Sequence, residues 1–189
     1  MGYTTDFEGE LTFNKPVTEE LKEYINKFSD TRRMKRDNEK IKELFPNWKE
    51  LCFKGNLGVN GEYFIGSTDC YGSDRDESVI DYNSCNPQPG LWCEWIINDR
   101  GNLEWNYSEK FYYYDEWLRY LIKNFFEPEG YVLNGKIKFY GEDDDDFGVI
   151  NVIDNDVSLQ YGIKVMSLEE IETSMLMEEL ISRGYTVSK

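Results

Sequence analysis

Three stretches of alternating apolar and polar residues follow one another in the second half of the chain. They cover residues 131–140, 149–153 and 157–161, and two short acidic turns separate them. Alternation with a period of two is typical of strands that bury one face, and short turns make neighbouring strands antiparallel. The chain is therefore predicted to contain an antiparallel meander, which restricts its fold more than any other feature.

A broad apolar face runs along residues 113–126, and this face predicts the central helix of the protein. Its members recur at helical spacing: Trp117, Leu118, Leu121, Ile122 and Phe125. Shorter helices are predicted over 19–28, after the N-cap residue Thr18, and over 37–45, before Pro46. Ser167-Leu168-Glu169-Glu170 is a capping box that opens a last helix, which Gly184 closes. These patterns predict an α+β fold, with the sheet meander packed against a central amphipathic helix, in a single domain over residues 1–189.

The remaining patterns predict further strands and one long loop. Residues 4–17 are predicted to contain a strand, and residues 91–98 and 103–107 a hairpin joined through Asp99-Arg100-Gly101. Gly61–Gly66 is predicted to be a short strand bounded by glycines. Residues 67–90 are rich in Asp, Ser, Asn, Pro and Gly, which is typical of a loop. A loop of this length is usually functional or held in place by another part of the protein.

The sequence contains no histidine, and this absence excludes several kinds of active site. A Ser-His-Asp triad, a Cys-His dyad and an imidazole metal ligand all need one. A carboxylate-based enzyme needs two acids that converge in a cleft, and the sequence singles out no such pair among its 37 Asp and Glu residues. The sequence shows no nucleophile motif and no phosphate-binding glycine loop. We therefore expect a protein that is not an enzyme.

The charge of the chain is strongly negative and unevenly distributed. Its 37 acidic and 21 basic residues give a net charge of -16, and residues 51–189 carry 26 of the acids but only 11 of the bases. Such a chain repels nucleic acid and anionic membranes at long range. It also has no apolar run near the roughly 18 residues that a membrane span needs. The expectation is a cytoplasmic protein with no direct contact to nucleic acid or membrane.

The four cysteines fall within one part of the chain: Cys52, Cys70, Cys85 and Cys93. Four thiolates can close a tetrahedral Zn²⁺ site, and such a site could hold the loop over 67–90 in place. The spacing contains no Cys-x-x-Cys pair, however, and Cys93 lies between two tryptophans, where a buried thiol also fits. Two alternatives stay open: a zinc site formed by the four cysteines, or four reduced thiols.

Two runs of like charge stand out. Five adjacent acids form the turn between the alternating stretches over 131–140 and 149–153: Glu142, Asp143, Asp144, Asp145 and Asp146. Their spacing lacks the alternation of an EF-hand, so the run indicates a solvated acidic turn or a surface that binds a partner. The basic run Arg32, Arg33, Lys35 and Arg36 could contact phosphate or an acidic surface, but a solvated turn beside a helix is the expected interpretation.

Seven stretches of the chain carry a further signal: Gly2–Gly9, Thr31–Met34, Val79–Asn83, Pro89–Trp95, Glu109–Tyr112, Glu116–Ile122 and Gly130–Gly135. Together they resemble a family of small acidic proteins of bacteriophages and prophages. The resemblance spans about residues 2–160. It implies a type II-A anti-CRISPR protein, an inhibitor of the RNA-guided nuclease, that also binds zinc. Family members have a residue like Cys93 but often lack counterparts of Cys52, Cys70 and Cys85, so a four-cysteine site would belong to this branch.

The resemblance also implies the partner, which would be a type II CRISPR effector nuclease in the cytoplasm of an infected or lysogenic host cell. Such a nuclease holds its nucleic acids in positively charged channels, which attract an acidic protein. The acidic run Glu142, Asp143, Asp144, Asp145 and Asp146 is the expected contact, made by a monomer. The alternatives are a prophage interaction or structural protein without a defence role, and a carboxylate-based phage enzyme.

Overall fold

A computed structural model describes residues 2–66, 73–162 and 168–183 of the chain, with side chains omitted for 168–174. The described strands are β1 Thr5–Phe13, β2 Lys35–Arg36, β3 Val79–Asp81, β4 Trp95–Ile97, β5 Leu103–Trp105, β6 Leu133–Gly141, β7 Phe147–Ile153 and β8 Asp156–Tyr161. The helices are α1 Glu19–Ser29, α2 Asn38–Leu44, α3 Tyr114–Leu121 and α4 Leu168–Ser182. The mixture of helices and an antiparallel sheet confirms the predicted α+β class.

Six strands form one antiparallel sheet in the order β4-β5-β1-β6-β7-β8. The strands β6-β7-β8 confirm the antiparallel meander that the alternating residues predict. Its second turn is tight because Asp154 and Asn155 both take left-handed φ angles, 48° and 71°, and join the paired residues Ile153 and Asp156. This type I′ geometry follows the right-handed twist of the strands. The predicted hairpin near the middle of the chain is also confirmed, with shorter strands.

The helices begin where the sequence predicts. Thr18 caps α1 through its hydroxyl oxygen, which accepts a hydrogen bond from the backbone of Leu21, and Asp37 caps α2. Helix α3 continues into a π-helical turn over Ile122–Phe126, so the helical segment ends near the predicted residue. Trp117 and Phe125 of this segment have no exposed surface. Helix α4 begins close to its predicted start, but the capping residue Ser167 and Gly184 lie outside the described residues.

The main core lies between the inner face of the six-stranded sheet and the helices α1 and α3. Phe7 of β1 is at its centre, with edge-on contacts to four aromatic rings at 4.9–5.8 Å between centroids. Edge-on pairs of this kind add about 0.5–1.5 kcal/mol each beyond their buried area. A smaller cluster beside α2 contains Ile41, Cys52, Leu57 and Phe64. Among the described residues, no helix is long and apolar enough to cross a membrane.

Two predictions of local structure need correction. Gly61–Gly66 is not a strand, because Gly61 takes a left-handed φ of 66° and its carbonyl accepts from the Phe64 amide at 3.0 Å, which makes a turn. The stretch predicted as a loop over 67–90 contains a short strand, β3, which pairs with β2. Residues 67–72 of that stretch lie outside the described part of the chain.

Candidate functional site

Three of the four bases in the run after α1 are buried, so its prediction as a solvated turn is wrong. Arg32, Arg33 and Arg36 expose 8%, 2% and 7% of their surface. We call these three residues the arginine cluster. Sequence reasoning missed the burial because most partners of the cluster are backbone carbonyls or come from a distant part of the chain, and neither kind leaves a periodic signal.

Arg33 is the most deeply buried member of the arginine cluster. Its guanidinium lies 4.1 Å from the centre of the Phe28 ring. It donates hydrogen bonds to the carbonyl oxygens of Thr31 at 2.8 and 3.0 Å, Glu62 at 3.2 Å and Phe28 at 3.3 Å. Burial lowers the pKa of Arg33 to about 10, so the group stays charged at neutral pH. One side chain thus joins the end of α1 to the turn at Glu62.

Arg32 and Arg36 hold the described part of the long loop. Arg32 donates to the carbonyl oxygen of Tyr82, and its guanidinium stacks 3.8 Å from the centre of that ring. Arg36 donates to a carboxylate oxygen of Asp76 at 2.6 Å and to the hydroxyl of Ser78 at 2.8 Å. Charge-assisted bonds of this kind are stronger than neutral ones. The loop residues that follow position 72 are therefore held in place by arginines.

A cleft of about 900 Å³ opens next to the arginine cluster. We call it the Asp30–Glu94 cleft. Its walls come from the end of α1, from the segment before β4 and from the segment before α3. The residues that line it are Ser29, Asp30, Cys85, Pro89, Gly90, Leu91, Trp92, Glu94, Asn106, Ser108, Glu109, Lys110, Tyr112 and Tyr113. Its volume lies within the range of about 300–1,000 Å³ that is usual for ligand pockets.

Two hydrogen-bonded contacts fix the position of α1 and thereby form the cleft. The Asn26 side chain accepts from the backbone amide of Ile97 at 2.8 Å and donates to its carbonyl at 3.0 Å. The Ser29 hydroxyl donates to the carbonyl of Cys93 at 2.7 Å. Because these bonds attach the end of α1 to the segment at β4, Asp30 and Glu94 face the same space although 64 positions separate them in the chain.

The pKa values of Asp30 and Glu94 are shifted by their surroundings. Burial raises the pKa of Asp30. Burial also raises the pKa of Glu94, the charge of Asp30 adds to this effect, and hydrogen bonds from the side chains of Asn106 and Ser108 oppose it. Carboxylates with raised pKa values in a cleft are candidates for proton transfer or for binding a cation. The sequence offered no signal for this pair, since only the packing of α1 brings the two residues together.

The wall formed by residues 106–113 has an unusual backbone. Tyr107, Lys110 and Tyr113 all take left-handed φ angles, between 57° and 66°. Non-glycine residues adopt this conformation rarely, and for bulky side chains it carries strain. The same wall exposes aromatic rings, since Tyr112 and Tyr113 expose 49% and 56% of their surface. The half-buried Trp92 faces the cleft from the other side.

The described cysteines occupy different environments. Cys52 belongs to the small cluster beside α2, Cys93 is in the main core, and Cys85 lines the cleft. Burial raises the pKa of the Cys93 thiol to about 12 and also raises that of Cys52. Within the part of the chain that the structure describes, no three Cys, Asp or Glu side chains are placed together to hold a metal ion. Cys70 lies outside that part, so zinc at the four cysteines stays a prediction.

The predicted acidic turn is the tip of the β6-β7 hairpin, and its five residues differ in role. Glu142 accepts from the backbone amide of Thr4 at 2.7 Å, and Asp146 accepts from the Tyr3 hydroxyl at 2.6 Å. The hydrogen bond to Asp146 raises the pKa of Tyr3. Asp143, Asp144 and Asp145 are exposed. The hairpin tip is therefore anchored at its two ends and presents three aspartates to solvent.

Two of the stretches singled out in the sequence line the cleft. Pro89–Trp95 and Glu109–Tyr112 supply lining residues, and Thr31–Met34 follows directly after Asp30. Comparison with family models, with curated proteins and with solved structures finds no match for the chain. The chemistry of the candidate sites is accordingly inferred from their own residues.

Proposed function

We propose that the protein is a phage-encoded anti-CRISPR protein, which binds a type II CRISPR effector nuclease of the bacterial host and blocks cleavage of target DNA. The family resemblance supports this proposal, and so does the net charge of -16. It acts as a binding protein in the host cytoplasm and has no catalytic step of its own. The observation that carries the proposal is the acidic hairpin tip, in which three aspartates project from a fixed base.

The anchoring of the tip matters for binding. Tyr3 and Thr4 attach to Asp146 and Glu142, so the N-terminal segment braces the hairpin. A braced loop loses less conformational entropy when it binds than a mobile one does. A nuclease of this type has positively charged channels for its nucleic acids, and opposite charges accelerate encounter. Inhibition follows either from occupation of such a channel or from a blocked domain movement.

Association kinetics test this proposal. Guide-loaded nuclease is passed over immobilised protein at a series of salt concentrations, and the association rate is measured. The rate should fall steeply once the Debye length drops below about 10 Å. The variant D143N/D144N/D145N should associate more slowly while keeping the anchors at Glu142 and Asp146. The matched control neutralises three exposed acids that make no salt bridge among the described residues, Glu20, Glu50 and Glu116, and should have a smaller effect.

One observation favours a second candidate, a carboxylate-based enzyme. Asp30 and Glu94 share a cleft, and burial raises the pKa of both, as a general acid requires. Such an enzyme would act directly on the target DNA or on the guide RNA, even when the nuclease is absent. Incubation of the protein with each nucleic acid alone distinguishes the two candidates: we expect both to stay intact, and cleavage that disappears in Glu94→Gln would establish the enzyme instead.

A further inference from the structure

We propose that the Asp30–Glu94 cleft binds the side chain of one arginine from an extended segment of the protein partner. The inference deepens the proposed function and rests on it in one respect, namely that the ligand is a protein. It concerns a different surface from the acidic hairpin tip. Three features support it: the charge of the cleft, its aromatic walls and one buried donor beneath Gly90.

The charge of the cleft favours a cation. Three acids line it, Asp30, Glu94 and Glu109, against the single base Lys110. None of the salt bridges between described residues involves Asp30 or Glu94. Glu94 is 8% exposed, and its carboxyl is held by neutral side chains. A buried carboxylate without a cationic partner is costly, so a bound guanidinium would stabilise it.

The aromatic side chains favour arginine over a small inorganic cation. Trp92, Tyr112 and Tyr113 present ring surface to the same cleft. A guanidinium is planar, stacks on aromatic faces and donates a pair of hydrogen bonds to a carboxylate. The protein already uses this contact internally, since Arg32 and Arg75 both lie 3.8 Å from the centre of the Tyr82 ring.

A buried donor lies beneath the lining residue Gly90. Trp117 is fully buried, and its indole N–H has no hydrogen-bond acceptor among the described residues. It lies beneath Gly90, because a Cβ at position 90 would be 3.4 Å from Trp117 Nε1 and 3.4 Å from the Tyr113 ring. A buried donor without an acceptor costs about 1–3 kcal/mol. Because this N–H has no exposed surface, a carbonyl of a bound peptide reaches it only when the segment at Gly90 shifts on binding.

The strained wall supports a preformed pocket. Lys110 and Tyr113 take left-handed φ angles, which restrict the segment over 106–113 to one backbone conformation. The Tyr112 hydroxyl in this segment accepts a hydrogen bond from the backbone amide of Tyr3 at 3.3 Å. Strained backbone of this kind clusters at ligand-binding sites. A pocket that is already ordered loses little entropy when the arginine enters.

Titration of the whole protein with a short peptide tests the inference directly. The probe is acetyl-Gly-Gly-Arg-Gly-Gly-amide, and the matched control peptide has citrulline, a neutral analogue of the same shape, in place of arginine. Nuclear magnetic resonance reports on the indole N–H signals of Trp92 and Trp117. We expect a saturable shift of both signals with the arginine peptide at millimolar concentration, and a much smaller shift with citrulline.

Protein variants locate the binding site. Asp30→Asn and Glu94→Gln should each weaken arginine binding about tenfold, the effect of losing one charge-assisted hydrogen bond. Gly90→Ala should weaken it by filling space beside the Tyr113 ring in the cleft, and position 90 has no left-handed φ that would strain the alanine. Asp156→Asn, which removes one exposed charge at the start of β8, should leave binding unchanged. The dispersion of the amide spectrum shows that each variant is folded.

The outcomes separate the inference from the proposed function. Equal binding of the citrulline peptide, no saturable shift at all, or unchanged binding in both Asp30→Asn and Glu94→Gln would overturn the arginine pocket. If the peptide binds in the cleft while the nuclease is neither bound nor inhibited, the pocket stands and the proposed partner is wrong. If the nuclease is inhibited equally by the wild type and by the folded cleft variants, the pocket has no part in that interaction and the inference fails.

Discussion

The guanidinium of Arg33 lies 4.1 Å from the centre of the Phe28 ring, one turn of backbone away at the end of α1. Backbone carbonyls receive all of its hydrogen bonds within the described residues. One of these carbonyls, that of Phe28, is at the C-terminal end of a helix, where the helix dipole favours positive charge. Arg33 therefore caps the C-terminal end of α1. It also fixes the position of Asp30, which lies between Phe28 and Arg33 in the sequence.

Replacing Arg33 should destabilise the protein more than replacing any exposed base. Arg33→Lys keeps the charge but cannot reach three separate carbonyls, so we expect a loss of about 2–4 kcal/mol in the free energy of unfolding. Urea denaturation measures this loss. The control is Lys123→Met on the exposed side of the α3 segment, which should change stability by less than about 0.5 kcal/mol. Equal effects at the two positions would show that Arg33 does not hold the fold.

Asp76 should stabilise the protein only when it is ionised. Burial alone would raise the pKa of Asp76, but hydrogen bonds from Ser78 and Arg36 outweigh burial and lower it below 3.8. The folded state then binds fewer protons than the unfolded state, so the contribution is complete above pH 3.8 and is lost as the pH falls through the lowered value. Asp76→Asn should therefore destabilise the protein at neutral pH, and the difference from wild type should shrink in acid.

Glu94 should show the opposite dependence on pH. Burial raises the pKa of Glu94 above its ordinary value of 4.5, so the folded state keeps the proton to a higher pH than the unfolded state does. The free energy of unfolding therefore falls as the pH rises from 4.5 through the raised pKa. Glu94→Gln removes the titration and keeps an oxygen that can accept from Asn106 and Ser108. We expect the variant to gain stability over wild type between acid and neutral pH, as urea denaturation at several pH values would show. A constant difference would mean that Glu94 is not buried.

The cysteines should differ in their reaction with a thiol reagent. Cys85 is half-exposed in the cleft, whereas Cys93 is fully buried with its pKa raised to about 12, so native protein should be alkylated at Cys85 and not at Cys93. Mass spectrometry of the digested protein identifies the labelled thiols. A zinc site at Cys52, Cys70, Cys85 and Cys93 predicts instead that all four are protected until a chelator is added and that elemental analysis finds zinc.

The sequence predicted the elements that depend on local pattern. The meander, the cap Thr18 and the helix around Trp117 follow from residues that are close together in the chain. Gly61–Gly66 was misassigned because a pair of flanking glycines is typical of both a short strand and a turn. The tip at Glu142–Asp146 was predicted, but not that Tyr3 and Thr4 anchor it, since nothing local links positions 140 apart.

The sites that depend on tertiary contacts could not be predicted. Arginines next to a helix are usually solvated, and only the positions of Phe28, Phe64 and Tyr82 in the folded chain show that three of them are buried. The Asp30–Glu94 cleft forms because Asn26 and Ser29 attach α1 to the segment at β4. Among 37 acids, no composition or spacing singles out that pair.

A cleavage assay with guide-loaded type II nuclease tests the central claim most directly. Target DNA, nuclease and increasing amounts of the purified protein are mixed, and the cut fraction is measured. We predict that cleavage falls as the protein approaches the nuclease concentration, and that D143N/D144N/D145N requires more protein for the same effect. The protein alone should leave the DNA intact. Unimpaired cleavage at a large molar excess of the folded protein would contradict the account.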